Sequence, residues 1–276
     1  MPEKKLILID THLHIYDCYN IISFFKEAKK NFSHYHKKLK STEKFVGILF
    51  LTESKGLNYF EKLQKNSNDI IQNLEKENFI GKKSDENCSI VFETTDSNNI
   101  IIIAGQQIIT KEKLEVLSLG TRQKIEYSLS LEETVKRIID IGAIPILPWG
   151  VGKWLGQRNG IVNEFLKKNG ETRFFLGDNS GRLSIMKAPT LFNVSGQNKK
   201  LVLRGSDPLP IKSQEKKAGS FGFYFVSDID LFNPFKNVKE IIYNLGNEPN
   251  NYGKLENIFD FFKNQIMLRL AKRGIN

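Results

Sequence analysis

The residues most suited to chemistry stand near the amino terminus, where the apolar run Leu6-Ile7-Leu8-Ile9 ends in Asp10-Thr11-His12-Leu13-His14. Side chains two apart on an extended strand project to the same side, so Asp10, His12 and His14 converge on one patch. Imidazole nitrogens beside a carboxylate suit zinc, manganese or iron, and two histidines on one rigid strand end lose little freedom on binding an ion. The chain has only four histidines, so half of them sit here. The plainer account of the same residues is a polar loop after a buried strand.

Further candidates follow from the rule that catalytic groups in parallel α/β architectures gather beyond the carboxyl ends of strands. Strand ends present Gln107, Glu115, Trp149, Asp178 with Asn179, Asp207, and Asp228 with Asp230. Asp207 follows the apolar Leu201-Val202-Leu203, and Pro208 biases it toward an extended backbone. It reads as a ligand or general base, against the ordinary alternative of a Ser-Asp-Pro turn. Asp178, in the turn-forming Gly177-Asp178-Asn179-Ser180-Gly181-Arg182, is a second carboxylate candidate with the same two accounts. Arg182 and Arg204 can grip an anionic substrate through paired donors or serve a structural ion pair.

Trp149-Gly150-Val151-Gly152-Lys153-Trp154 lacks the glycine spacing and the hydroxyl residue of a phosphate loop. Its glycines instead predict a loop that carries two tryptophans and Lys153 over the mouth of the fold, with Arg158 nearby. Trp149, Lys153, Arg158, Asn179, Arg182 and Arg204 are the candidate substrate contacts. His34 and His36 fall two apart on a helix, where they do not face each other, and read as surface residues. Nucleophilic triads are excluded, because no histidine follows His36 and no Gly-x-Ser-x-Gly elbow is present.

These residues need elements to hold them, and short apolar runs alternating with longer helical patterns predict βα units feeding a mainly parallel sheet. Strands are expected at Leu6–Ile9, Phe45–Leu51, Cys88–Glu93, Asn99–Ala104, Leu114–Leu119, Ile144–Leu147, Arg173–Leu176, Lys200–Leu203 and Phe221–Val226. Helices are expected at Tyr19–Leu39, Asn58–Asn78, Ser130–Ile141, Arg158–Lys168, Val238–Leu245 and Leu255–Lys272. Asp96-Ser97-Asn98-Asn99 joins two of the strands as a hairpin turn. At 276 residues, with no internal repeat or long linker, the chain reads as a single α/β barrel domain over 1–276.

Composition narrows the partners. The 40% hydrophobic content and 20 phenylalanines fit a folded core. The formal charge of +10 attracts anions, but the lysines fall in scattered pairs without an aromatic-interleaved stripe. That pattern ranks nucleic acid behind a small-molecule substrate. Cys18 and Cys88 are far apart and make neither a disulfide framework nor a zinc knuckle, so a cytoplasmic setting is expected. No signal peptide or membrane partner is expected, and the oligomeric state is left open.

The opening Asp10-Thr11-His12-Leu13-His14, with Gly205-Ser206-Asp207 after a late strand, resembles metal-dependent hydrolases of the PHP and amidohydrolase types. Gly105-Gln106-Gln107-Ile108-Ile109-Thr110 followed by Leu114-Glu115-Val116-Leu117-Ser118-Leu119-Gly120 looks like the second PHP motif region. The resemblance implies a (β/α) barrel, TIM-like or of the distorted seven-stranded PHP type. This sequence departs from the pattern at Gln107, where a glutamate ligand would stand, at Pro148-Trp149-Gly150, where a His-Pro would stand, and at Pro208-Leu209, which replaces a final histidine. What the likeness implies is therefore a reduced site holding one or two divalent ions through His12, His14, Asp207 and Asp178. Asp207, Asp178 and Glu115 would supply the catalytic carboxylates. The resulting expectation is hydrolysis of a phosphoester or amide in a small, anionic substrate; the alternative is a non-catalytic barrel that binds a ligand or partner at a degenerate site.

Overall fold

The computed structural model describes residues 3–65, 69–150, 152–193 and 199–272. The first strand, β1 (Lys5–Leu13), is buried along nearly its whole length, as befits a strand covered on both faces. Helix α1 (Ile21–Lys38) begins at Asn20, whose side chain accepts from the Ser23 amide, and turns Phe24, Phe25, Ala28 and Phe32 inward. Strand β2 (Phe45–Glu53) is followed by α2 (Tyr59–Gln64) and α3 (Asp69–Lys76). The single helix expected over Asn58–Asn78 is thus two short ones, and residues 66–68 between them lie outside the described residues.

Strands β3 (Ile80–Lys83), β4 (Ser89–Glu93) and β5 (Asn99–Ile109) follow, with the expected hairpin joining β4 to β5. Then come β6 (Glu115–Leu119), α4 (Leu131–Asp140), β7 (Ile144–Pro148), α5 (Gln157–Lys168), β8 (Phe175–Asn179) and β9 (Val202–Gly205). Helix α4 opens with a full capping box between Ser130 and Glu133. The chain continues through β10 (Gly222–Ser227), α6 (Pro234–Tyr243), β11 (Asn250–Tyr252) and α7 (Ile258–Lys272).

The main sheet runs β11-β10-β1-β2-β5-β6-β7-β8-β9 and curls into a nearly closed barrel. Its path from β1 round to β9 comprises β1, β2, β5, β6, β7, β8 and β9, and single hydrogen bonds bridge the last gap. Thr11 Oγ1 donates to the Arg204 carbonyl at 3.0 Å, and the Asp207 amide donates to the His12 carbonyl at 2.7 Å. Gly205 permits that approach, because a Cβ there would collide with the backbone of His12.

The α/β barrel expectation is met, but mainly parallel pairing is not. Strand β6 pairs antiparallel with both β5 and β7, and β10 pairs antiparallel with β1. Only five residues separate the end of β5 from β6, too few for the crossover that parallel neighbours require, so the chain turns straight back.

Candidate metal centre

The β1 pleat does not place Asp10 with the histidines. Its carboxylate accepts from the amides of Ser206 at 2.8 Å, Gly219 at 3.0 Å and His12 at 3.3 Å, tying β1 to the segments after β9. The register shift between Asp10 and Leu13 marks the irregularity that separates Asp10 from the two imidazoles. Asp10 is a closure residue, and burial pushes its carboxyl up to about 7 against those donors.

His12 and His14 are buried and meet Asp207 from across the barrel gap. His12 Nε2 lies 3.1 Å from His14 Nε2 and 3.4 Å from Asp207 Oδ1, and His14 Nε2 lies 3.5 Å from the same oxygen. Ligand atoms about 2.0 to 2.1 Å from a tetrahedral ion stand roughly 3.3 to 3.4 Å apart, so this triangle has the size of one face of a first coordination shell. Among the described residues, these three form the one group of histidine, cysteine or carboxylate side chains close enough to share an ion.

Electrostatics suit the same reading. Burial pushes the His12 imidazole down to about 4, with Asp207 opposing, so its nitrogen lone pair is free at neutral pH. Burial acts to raise the Asp207 carboxyl, yet His12, His14 and Lys153 outweigh it and hold Asp207 below the ordinary carboxylate range. Asp207 also has φ of 45°, in the left-handed region, which corrects the extended backbone expected before Pro208. Its amide bond to the His12 carbonyl outweighs the proline's preference and turns the carboxylate toward the histidines.

Around this triangle, Asn179 Nδ2 donates to Asp207 Oδ2 at 3.0 Å and to the Trp149 carbonyl at 2.8 Å. It braces Asp207 from the end of β8. Gln107 places Oε1 3.1 Å from His12 Nε2, and its Nε2 donates to Glu115 Oε1 at 3.1 Å. Lys153 Nζ also bonds Glu115 Oε1, so Glu115 faces an amide and an ammonium rather than the histidines. Burial lowers the Lys153 pKa, with Asp207 opposing.

The structure does not bring Asp178 to the cluster. Its two oxygens accept from Arg182 Nε at 2.9 Å and a terminal Arg182 nitrogen at 2.8 Å, a buried bidentate pair, while Arg204 Nε stands 3.9 Å away. Arg204 lays its guanidinium 5.0 Å over Phe221. Arg158 braces its own loop by donating to the Gly152 carbonyl at 2.7 Å. The two tryptophans do not ride over the mouth as expected. Trp149 and Trp154 are buried in the apolar cluster of Leu147, Val162 and Leu191, because indoles of that size gain more from the space between β7 and α5 than from solvent; Val151 lies outside the described residues. Of the other histidines, His34 is exposed as expected and His36 Nε2 pairs with the Glu43 carbonyl at 2.8 Å.

A cavity of about 160 Å³ opens beside Asp207, lined among others by Lys153, Asn179, Leu209 and Lys217. Phe261 and Gln265 of α7 complete the lining, which the sequence reading missed. The available signal was an excess of apolar residues in α7 beyond what one buried stripe can use.

No protein-family model and no curated protein matches this chain. Among solved structures it is similar to the lesion-specific endonuclease from Pyrococcus furiosus, with 13% identity, a TM-score of 0.52, and coverage of 88% of this chain and 57% of that one. It is also similar to Endonuclease Q solved with a 27-mer duplex carrying an abasic lesion at the active site, with 14% identity, a TM-score of 0.50, and coverage of 95% and 67%. PsfC from Pseudomonas syringae aligns over 99% of this chain and 100% of its own at 12% identity, with a TM-score of 0.46. At such identities the likeness to the two endonucleases establishes the barrel alone. The complex also corrects the ranking of nucleic acid behind a small molecule: a chain of this fold is solved on duplex DNA, so scattered lysines are no ground for setting nucleic acid aside. As for membranes, no helix among the described residues is long and apolar enough to cross one.

Proposed function

We propose that this chain is a metal-dependent phosphodiesterase acting on nucleic acid, with one divalent ion held by His12, His14 and Asp207. The observation that carries the reading is the triangle of ligand atoms, 3.1 to 3.5 Å apart, at the carboxyl end of β1 and just past β9. Two imidazoles and a carboxylate suit zinc, manganese or iron. Such an ion lowers the pKa of water and polarises a phosphoryl oxygen. With three protein ligands, such a site would keep a position open for substrate, as catalytic sites require.

The rest of the reaction belongs to the chain's own side chains. Lys153, half-buried beside the cavity, places an ammonium where the negative charge of a phosphodiester gathers. Glu115 orients that ammonium and the Gln107 amide; it stands as the proton acceptor on this side of the site. Asn179 orients Asp207. Asp178 acts through its pair with Arg182, as a support for the end of β8 rather than as a ligand. The nucleic-acid assignment is supported by the duplex held by Endonuclease Q and by the net charge of +10.

Metal analysis of the purified chain, with cleavage of an oligonucleotide duplex in zinc, manganese or iron, tests the reading. About one tightly held ion per chain is expected, lost in His12→Ala and in Asp207→Asn, a residue that tolerates the left-handed backbone. A chain that takes up no divalent metal ends the proposal. Uptake without cleavage of any phosphodiester favours the binding-only barrel, a reading that Gln107, an amide in place of a carboxylate against His12, supports.

A further inference from the structure

We infer that α7 is a latched lid over the candidate metal centre and must swing away before a polymeric substrate can reach Asp207. The inference rests on the nucleic-acid reading above. Three observations carry it. The cavity beside Asp207 is about 160 Å³ with Phe261 and Gln265 of α7 among its walls, below the ~300–1,000 Å³ of ordinary ligand pockets. A strand of nucleic acid does not fit beneath the helix where it lies.

Attachment of the helix is narrow. Asn264 is its one buried residue among those described, Phe261, Gln265, Leu268 and Leu270 are partly covered, and Phe259, Phe262 and Ile266 are 84%, 57% and 57% exposed. A helix with so little of its apolar surface buried belongs to the low-stability end of a structure, where local opening is easy.

The latch itself is polar and specific. Asn264 Nδ2 donates to Glu256 Oε1 at 2.7 Å, and Gln214 Nε2 donates to Asn264 Oδ1 at 3.1 Å. Lys217 Nζ meets the same Glu256 oxygen at 2.7 Å. Glu256 is in turn fixed to the body, since its amide donates to the Ser180 carbonyl at 2.9 Å and its carbonyl accepts from Ser184 at 2.8 Å. Asn257 follows and caps the helix by accepting from the Asp260 amide at 2.9 Å, so the pivot lies between a pinned residue and a self-contained helix. Rotation there breaks the Asn264 bonds without unravelling α7.

The test measures opening directly. In a Cys18→Ser background, Leu209→Cys sets a thiol in the cavity, and its labelling rate tracks the population of the open form. Releasing the latch with Asn264→Leu, or thinning the contact with Phe261→Ala, is expected to speed labelling by about tenfold while the unfolding midpoint of the barrel stays in place. Equal labelling rates in the latched chain and in both variants overturn the lid, whatever the activity. In parallel, Asn264→Leu is expected to raise cleavage of an oligonucleotide duplex and to leave cleavage of bis(4-nitrophenyl) phosphate unchanged; equal gains on the two substrates also overturn it. Failure of every chain to cleave either phosphodiester refutes the nuclease reading, and the labelling rates still decide the lid.

Discussion

At the residue scale, the site is a matter of which nitrogen and oxygen atoms point at one another. The two-residue spacing of His12 and His14 was legible in the sequence because a strand end enforces it. The partition of the acids was not: Asp10 serves backbone amides, Asp178 serves Arg182, and Asp207 alone meets the histidines. Because Asn179 holds the outer oxygen of Asp207, Asn179→Ala is expected to weaken metal binding roughly 10- to 100-fold, read by competition against a chelator dye. Unchanged affinity would show that Asp207 needs no such brace. His12 gives a pH prediction. Unfolded, its imidazole gains a proton near 6.5, whereas the folded chain resists protonation until about 4, so the unfolded state takes up protons first as pH falls. The stability contributed by neutral His12 is present above pH 6.5 and is lost between 6.5 and 4. Urea unfolding of metal-free protein should therefore lose stability across that window more steeply than His12→Gln does, and parallel curves would contradict it.

At the element scale, β8 and β9 decide whether the site exists. Most elements were readable from apolar periodicity, yet β8 and β9 extend to Asn179 and Gly205, past the apolar runs that signalled them. Those extensions are held by tertiary partners. The Asp178–Arg182 pair is buried at the end of β8, and an uncompensated charge there is costly. Arg182→Leu is expected to destabilise the chain by about 3–5 kcal/mol, measured by chemical unfolding, because it strands Asp178 away from water. A loss well under 1 kcal/mol would mean that solvent reaches the carboxylate and that the pair is not a support. The antiparallel insertion of β6 was likewise hidden, since a short apolar run reads the same in either direction.

At the scale of the whole molecule, charge and shape bear on the partner. A chain of net charge +10 that handles nucleic acid displaces counterions on binding, so affinity for an oligonucleotide duplex should fall steeply and log-linearly with salt. Fluorescence anisotropy between low and physiological salt measures this, and absence of binding at low salt would remove nucleic acid as the substrate. What the sequence by itself determined is local: the strand end carrying His12 and His14, the alternation that makes an α/β barrel, and the presence of a carboxylate past a late strand. What only the tertiary structure decided is which distant groups meet. Asp207 reaches His12 because Gly205 lets two backbones touch across the barrel gap, and α7 is held at the cavity by Asn264 accepting from Gln214, far away in the chain. Periodicity and turn chemistry act over a few residues, whereas closing a barrel or latching a helix depends on long-range packing that no local pattern encodes.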